Sequence, residues 1–412
     1  MRIVLVNPTN EFMYPGAQPT GLTILAAYLR QFYPNIKILD RVAGDNLLDL
    51  SVIKPDIVGV TGTTPTSEDC YNCADYAKSL GCKVVIGGVH ASIRPKEALE
   101  HADAVVVGEG EKAFKKIIDE NLTGIIKGEI INDLDEIPIP AYDLVHMEFY
   151  FKQTPLLKIV GKRIANILTS RGCPYNCTFC HNSFKNLKYR ANSPERTVKE
   201  IEYLIEKYQV NAIFFIEDNF FVNKERVINI SKLLIEKRIN IVWGANSRVN
   251  NIDIKTLKIA KNAGCYQITF GWESGSQRML DIYNKQVTVK QNEDSIKLCR
   301  EAGIKANGTV MIGGPGETLE DLNKTRKFIT ENDIDGGVGV CITTPLPGTK
   351  MWEDLKEKPD VDFSQLNFFR TPIPLCDFSE EELRLIQKKF IKMGYFKDLE
   401  IKNRDEMEAI TI

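Results

Sequence analysis

Ser170-Arg171-Gly172-Cys173-Pro174-Tyr175-Asn176-Cys177-Thr178-Phe179-Cys180-His181 sets three thiols within eight residues. A tetrahedral zinc or iron–sulfur site closes with four ligands, so three leave one position for a substrate or cofactor. The i, i+4, i+7 spacing is also one face of a helix, and a buried helix carrying three cysteines is the competing reading. Gly172, Pro174 and Asn176 alternate with the first two thiols; that suits a loop wrapped around a cluster and suits a helix interior badly. With 10 cysteines in 412 residues, the spacing arises by chance with a probability of about 0.006. Cys173, Cys177 and Cys180 are therefore read as metal ligands.

Working outward, 412 residues exceed what one core usually organises, so two domains and a tail are expected. The composition, 43% apolar and 26% charged, is that of a globular chain. A net charge of −2 exerts no global pull on nucleic acid, which is not a favoured partner. Asn7-Pro8 ends the first apolar run too early for a signal peptide, and no apolar stretch approaches bilayer length. A cytoplasmic protein, not integral to a membrane, is expected, its cysteines metal ligands or free thiols.

In residues 1–135, short apolar runs at Arg2 to Val6, Ile36 to Leu39, Ile57 to Val60, Val84 to Ile86 and Ala104 to Val107 alternate with helical patterns. The fold class is α/β, and this part reads as a doubly wound, Rossmann-like parallel sheet, whose ligands bind beyond the carboxyl ends of the strands. Three loops fall there: Gly59 to Thr66, with Thr61, Thr63 and Thr64; Gly87-Gly88-Val89-His90-Ala91-Ser92; and Gly108-Glu109-Gly110-Glu111. Glycine lets a ligand approach backbone, although a lone Gly-Gly is more often a tight turn. Cys70 and Cys73, three apart on a helix starting near Ser67, read as half-buried thiols rather than a second metal site with Cys82.

The alternating prolines of Glu136-Ile137-Pro138-Ile139-Pro140 mark a linker, taken as residues 136–160. Strand runs then return at Ile164 to Thr169, Ala212 to Ile216, Ile241 to Ala245, Gln267 to Gly271, Gly308 to Ile312 and Gly339 to Thr343, with helical segments between them. Six such units across 161–350 imply a partial TIM-type barrel with its site on the carboxyl-end loops. The three-thiol loop follows the first strand. Residues 351–412 form a small extension with Phe363, Phe368 and Phe369 and a charged helix from Ser379 to Met393, capped by Ser379; it either covers the barrel mouth or packs on the core.

The order of the three glycine loops, with Asn7-Pro8 and Gly21 to Leu29, resembles the cobalamin-binding domain of one branch of the radical S-adenosylmethionine (SAM) enzymes, and residues 161–350 resemble the radical SAM core. The resemblance implies that Cys173, Cys177 and Cys180 hold three irons of a [4Fe-4S] cluster, with Phe179 the aromatic before the last cysteine, and that the fourth iron chelates SAM. It implies SAM contacts from Glu217, Asp218 and Asn219 to the methionine ammonium, from Ser247 and Arg248 to the carboxylate, from Glu273 to the ribose and from Ile312 to the adenine. Lys285 matches a lysine often found after the fourth strand, and a solvated helix-end lysine explains it almost as well. Cobalamin contacts are implied for Thr61, Thr63, Thr64, Gly87, Gly88, His90, Gly108, Glu109 and Gly110, with His90 read first as packing or hydrogen bonding. Cobalamin domains with a histidine on cobalt carry Asp-x-His-x-x-Gly; here Val42 stands at that position in Asp40-Arg41-Val42-Ala43-Gly44, and valine cannot ligate cobalt.

The implied reaction is reductive SAM cleavage followed by methylation of an unactivated carbon or phosphorus through methylcobalamin, with flavodoxin or ferredoxin as electron donor. Small-molecule, lipid and peptide substrates stay open. The alternatives are cyclisation or rearrangement without methyl transfer, a methylthiotransferase, and a non-catalytic iron–sulfur protein.

Overall fold

The computed structural model describes residues 1–10, 18–153, 163–181, 188–367, 369 and 371–393. Parts of the expected linker (154–160), Phe368 and the chain beyond Met393 lie outside these.

The first sheet is built from β1 (Ile3–Asn7), β2 (Ile36–Asp40), β3 (Ile57–Thr61), β4 (Lys83–Gly87), β5 (Ala104–Val107) and β6 (Gly124–Lys127), all parallel in the order β2-β1-β3-β4-β5-β6. Its central strands are apolar on both faces because helices cover both: Val4, Val58 and Val84 pack into one layer and Leu5, Ile57 and Val85 into the other. β6 went unforeseen, since Gly124-Ile125-Ile126-Lys127 is a short edge strand only half withdrawn from solvent. The chain reverses its winding between β1 and β3, the position where such sheets open a crevice.

The second sheet is β7 (Ile164–Ile167), β10 (Ala212–Phe215), β11 (Val242–Ser247), β12 (Cys265–Glu273), β13 (Lys305–Ile312) and β14 (Val338–Ile342), parallel and in sequential order; β8 (Ser170–Arg171) and β9 (Arg190–Ala191) pair as a small antiparallel ribbon. Each expected barrel strand is present, with helices on the outside at 194–208, 224–236, 254–262, 289–301 and 319–331. This is a half-barrel, and one large core runs through it.

The helix Glu380–Met393 packs on the core: Leu383, Ile386 and Phe390 are buried in it, and Gln387 Nε2 donates to the Val340 carbonyl at 2.8 Å. Its cap is the expected one, with Ser379 Oγ accepting from the Glu382 N–H at 3.2 Å and Glu382 Oε2 accepting from the Ser379 N–H at 2.7 Å. Residues 136–153 do not form an extended spacer. Tyr142 is fully buried and donates to Glu200 at 2.5 Å, and Tyr150 donates to Asp40 at 2.6 Å, so the segment fastens the two sheets together. Asp40 thus accepts from a tyrosine, and the strand-end aspartate of the altered Asp40-to-Gly44 loop serves the packing.

Candidate functional site

The cysteine loop is not helical: between β8 and Cys180 there is only a bend and a turn. Its backbone is pinned on both sides, Thr178 N–H donating to the Tyr283 carbonyl at 2.9 Å and Met351 N–H donating to the Thr178 carbonyl at 2.8 Å. All ten cysteines are free. Among the described residues no three His, Cys, Asp or Glu are gathered tightly enough for one metal ion. A cubane spreads its thiolates over separate irons, so it asks for three free thiols on a pinned loop, which is what the chain offers.

Arg248, at the end of β11, ties this loop to the sheet. Its Nη1 donates to Cys177 Sγ at 3.1 Å, its Nη2 donates to the Lys285 carbonyl, and its guanidinium stacks 3.7 Å from the Tyr175 ring centroid. Nε is buried without a partner among the described residues. Arg248 therefore does more than await a carboxylate.

Glu217 follows β10 and is 1% exposed. Its Oε1 accepts from the Thr169 N–H at 3.1 Å and from the Thr169 hydroxyl, while Oε2 has no partner among the described residues. Burial pushes its carboxyl up to about 7, against the opposing pull of Arg226 and Thr169. Asp218 is exposed and close enough to Cys173 that its charge, added to burial, raises that thiol. Asn219 is spent on structure, its Nδ2 donating to Asn251 at 2.8 Å and its Oδ1 accepting from the Arg248 N–H at 3.4 Å. Ser247 turns inward onto the Arg248 carbonyl at 3.0 Å.

β12 bulges between Gly271 and Glu273, which sets Glu273 at a φ of 60° and aims its side chain inward. There it meets Lys285 at 2.6 Å, the two side chains 7% and 6% exposed. The solvated reading of Lys285 is thereby corrected: it is the counter-charge of a buried carboxylate. Gly271 makes room for the pair, since a Cβ there would lie 2.3 Å from Glu273 Oε1. Phe179 stacks edge-on against Tyr283 at 5.6 Å, in an apolar cluster with Met279, Met311 and Met351. Ile312 is fully buried in the half-barrel core, which leaves only its backbone to a ligand.

In the first domain a cavity of about 270 Å³ opens at the carboxyl ends of the strands. Of the residues for which the resemblance implies cobalamin contacts, Thr61, Gly87, Gly88, Gly108, Glu109 and Gly110 line it, together with Gly21 and, from the second domain, Leu168 and Arg171. The glycines shape it: among the described residues a Cβ on Gly21 would meet nothing within 4 Å, and on Gly87, Gly108 and Gly110 nothing nearer than 3.8 Å. The slot suits a flat organic group lying against backbone, as the nucleotide tail of cobalamin would.

Thr63, Thr64 and His90 do not line this cavity. His90 is 1% exposed, held between Thr64 Oγ1 at 3.3 Å and Glu97 Oε1 at 3.2 Å, with Phe363 against its ring; burial lowers its basicity. It is a packing histidine, in line with the first reading of it. Glu109 also has another duty: Arg190 at 2.5 Å, the Ile131 N–H at 3.0 Å and Arg171 at 3.3 Å occupy its oxygens, and Arg171 further pairs with Glu111 at 2.5 Å. Burial pushes the Glu109 carboxyl up, but these donors outweigh it and hold it below its usual range. Glu109 is a clasp between the two domains at the cavity rim.

Residues 167–329 match the family model of the radical SAM superfamily, and residues 15–118 match that of the B12 binding domain. An uncharacterized methyltransferase of Pyrococcus horikoshii is 37% identical over 388 residues, covering 86% of this chain and 83% of that one. The chain belongs to the cobalamin-binding branch of the radical SAM superfamily. It is an enzyme of the methyltransferase type, and its cofactors are a [4Fe-4S] cluster, SAM and cobalamin. The anaerobic magnesium-protoporphyrin IX monomethyl ester cyclase of Rubrivivax gelatinosus is 29% identical over 416 residues, covering 90% of this chain and 73% of that one. The fold is shared with the cobalamin-dependent radical SAM enzyme OxsB, solved with aqua-cobalamin and SAM bound: TM-score 0.77, 16% identity, 99% of this chain and 70% of that one. No helix of the described residues is long and apolar enough to cross a membrane.

Sequence reasoning missed Thr169, Arg226, Asn251 and Arg171. Their roles come from partners at least 29 positions away, and no local pattern marks them.

Proposed function

We propose that the enzyme methylates an unactivated carbon or phosphorus centre of a small-molecule, lipid or peptide substrate, drawing electrons from a flavodoxin or ferredoxin in the cytoplasm. The observation that carries this is the shared wall. Leu168 and Arg171 close the first-domain cavity, and Arg171 stands two residues before Cys173, so the two cofactor sites adjoin on one stretch of chain.

Cys173, Cys177 and Cys180 would hold three irons. Glu217 Oε2 and the exposed Asp218 would receive the SAM ammonium, Arg248 Nε the carboxylate, and Glu273 the ribose hydroxyls; Thr61, Gly87, Gly88, Gly108 and Gly110 would cradle cobalamin. When bound, these groups supply one-electron cleavage of a sulfonium C–S bond and a transferable methyl group. The protein's own share is placement and exclusion of water. Arg248 fixes Cys177 against the sheet, Lys285 holds the charge of Glu273 in place, and Phe179, Met279, Met311 and Tyr283 make an apolar wall against solvent.

The test is anaerobic reconstitution with iron, sulfide and hydroxocobalamin, followed by a strong reductant and methyl-deuterated SAM. Label appearing in an acceptor, with 5′-deoxyadenosine formed by the native chain and absent from Cys177→Ala, supports the reading. 5′-Deoxyadenosine with no labelled product in any acceptor screen would favour cyclisation, the second reading, which the similarity to the cyclase supports. No 5′-deoxyadenosine at all from cluster-loaded native protein would refute both.

A further inference from the structure

Glu217 poses an electrostatic problem, because a carboxylate so deeply buried loses its hydration and tends to take up a proton. A neutral acid is a poor host for an ammonium group. The surrounding residues supply a remedy that starts on the outer helix Lys224–Glu236.

Arg226 on that helix is 5% exposed. Its Nη2 donates to Thr169 Oγ1 at 2.7 Å, to the Thr169 carbonyl at 3.2 Å and to Thr197 Oγ1 at 3.0 Å, and its Nε donates to the Asn192 carbonyl at 2.8 Å. The Thr169 hydroxyl in turn reaches Glu217 Oε1. A hydroxyl has a single proton, and a guanidinium only donates, so with Arg226 on its lone pair the proton of Thr169 can go only to Glu217. Oε1 is then fully engaged by the Thr169 hydroxyl and N–H, and Oε2 stays buried with no partner among the described residues. Among the described residues, Tyr189 is a further titratable group facing this carboxylate and feels both Glu217 and Arg226; Asp218, next in the chain, is exposed.

We propose that Arg226, acting through Thr169, is a positioning residue that keeps Glu217 ionised and one-sided, with Oε2 reserved for the cationic amine of the cofactor. This rests on the reading of Glu217 as an ammonium acceptor, and it adds two residues that share no sequence motif with it. A purely structural Arg226, stapling the β9 segment to the neighbouring helix, would affect melting and leave ionisation alone.

The experiment measures SAM binding by calorimetry on the anaerobically cluster-reconstituted full chain from pH 6 to 8.5. In the native protein, affinity should fall on the acid side of about pH 7, where Glu217 takes up its proton. Thr169→Val should move that acid limb upward by about one pH unit, so that binding at pH 7 weakens about fivefold, and Thr169→Ser should restore the native profile. Arg226→Lys, which keeps a cation and loses the fork, should shift the limb the same way and carries the test if the valine variant does not fold. Glu217→Gln should bind weakly at every pH. A weak, pH-independent Glu217→Gln alongside Thr169→Val and Arg226→Lys profiles that overlay the native one would overturn the relay alone. Native-like binding by Glu217→Gln would instead overturn the ammonium reading on which it stands.

Discussion

Replacing Lys285 by Met tests how the β12 bulge holds its carboxylate. Glu273 and Lys285 meet at 2.6 Å with under a tenth of either side chain exposed. Met matches the lysine stem in length and keeps the backbone carbonyl that accepts from Arg248, so the variant removes one charge and little else. Breaking one side of a buried pair costs about 3–5 kcal/mol, because the remaining charge is stranded away from water. In a domain of this size that corresponds to a fall in Tm of roughly 10 °C. The Glu273→Gln/Lys285→Met double variant strips both charges and should recover most of the loss, since two neutral groups of similar volume face each other with little left to desolvate. Scanning calorimetry on the four proteins of the cycle gives the coupling directly. A Lys285→Met melting point within 2 °C or so of native, or a double variant no better than the single one, would refute the claim that the pair is a buried electrostatic unit.

Gly21→Leu should melt no lower than native, because leucine propagates the helix Thr20–Arg30 better than glycine by up to about 1 kcal/mol; yet its side chain enters the cavity, and a visible-spectrum titration should show hydroxocobalamin binding reduced more than tenfold. Glu317 is buried at the end of β13, accepting from the Gly313 and Gly314 N–H groups, and burial pushes its carboxyl up to about 8. The folded chain thus keeps a proton that the unfolded chain releases near 4.3, so this contribution to stability is complete below that pH and is lost as pH rises toward 8. Glu317→Gln should match native stability near pH 4.5 and exceed it by on the order of 3 kcal/mol at pH 8 in urea titrations. Arg171→Met removes the second-domain cation that pairs with Glu109 and Glu111 of the first domain, and limited proteolysis should cut between the domains several-fold faster than in the native chain, more so at low salt.

Much of this molecule could be read one residue at a time. The cysteine loop was legible because Gly172, Pro174 and Asn176 rule out a helix by their own backbone chemistry, whatever surrounds them. The central strands were legible because parallel strands covered on both faces are apolar at consecutive positions, as in Arg2 to Val6 and Ile57 to Val60. The Ser379 cap needed only the glutamate three residues on.

What the tertiary structure decided is where charges and hydroxyls are spent. Lys285, Glu109, His90, Arg226 and Thr169 have nothing in their local sequence that sets buried against exposed. Lys285 reads almost as well as a surface lysine until a bulge turns Glu273 toward it, and the packing role first read for His90 takes its particular partners, Glu97, Thr64 and Phe363, only from the fold. Burial and ion pairing depend on atoms that the folded chain brings together from 7 positions apart, as for His90 and Glu97, to 57, as for Arg226 and Thr169, whereas backbone preference acts between neighbours. The sequence therefore determined which segments could wrap a cluster and which would build the sheets, and only the folded chain determined which polar atoms remain free to meet a ligand.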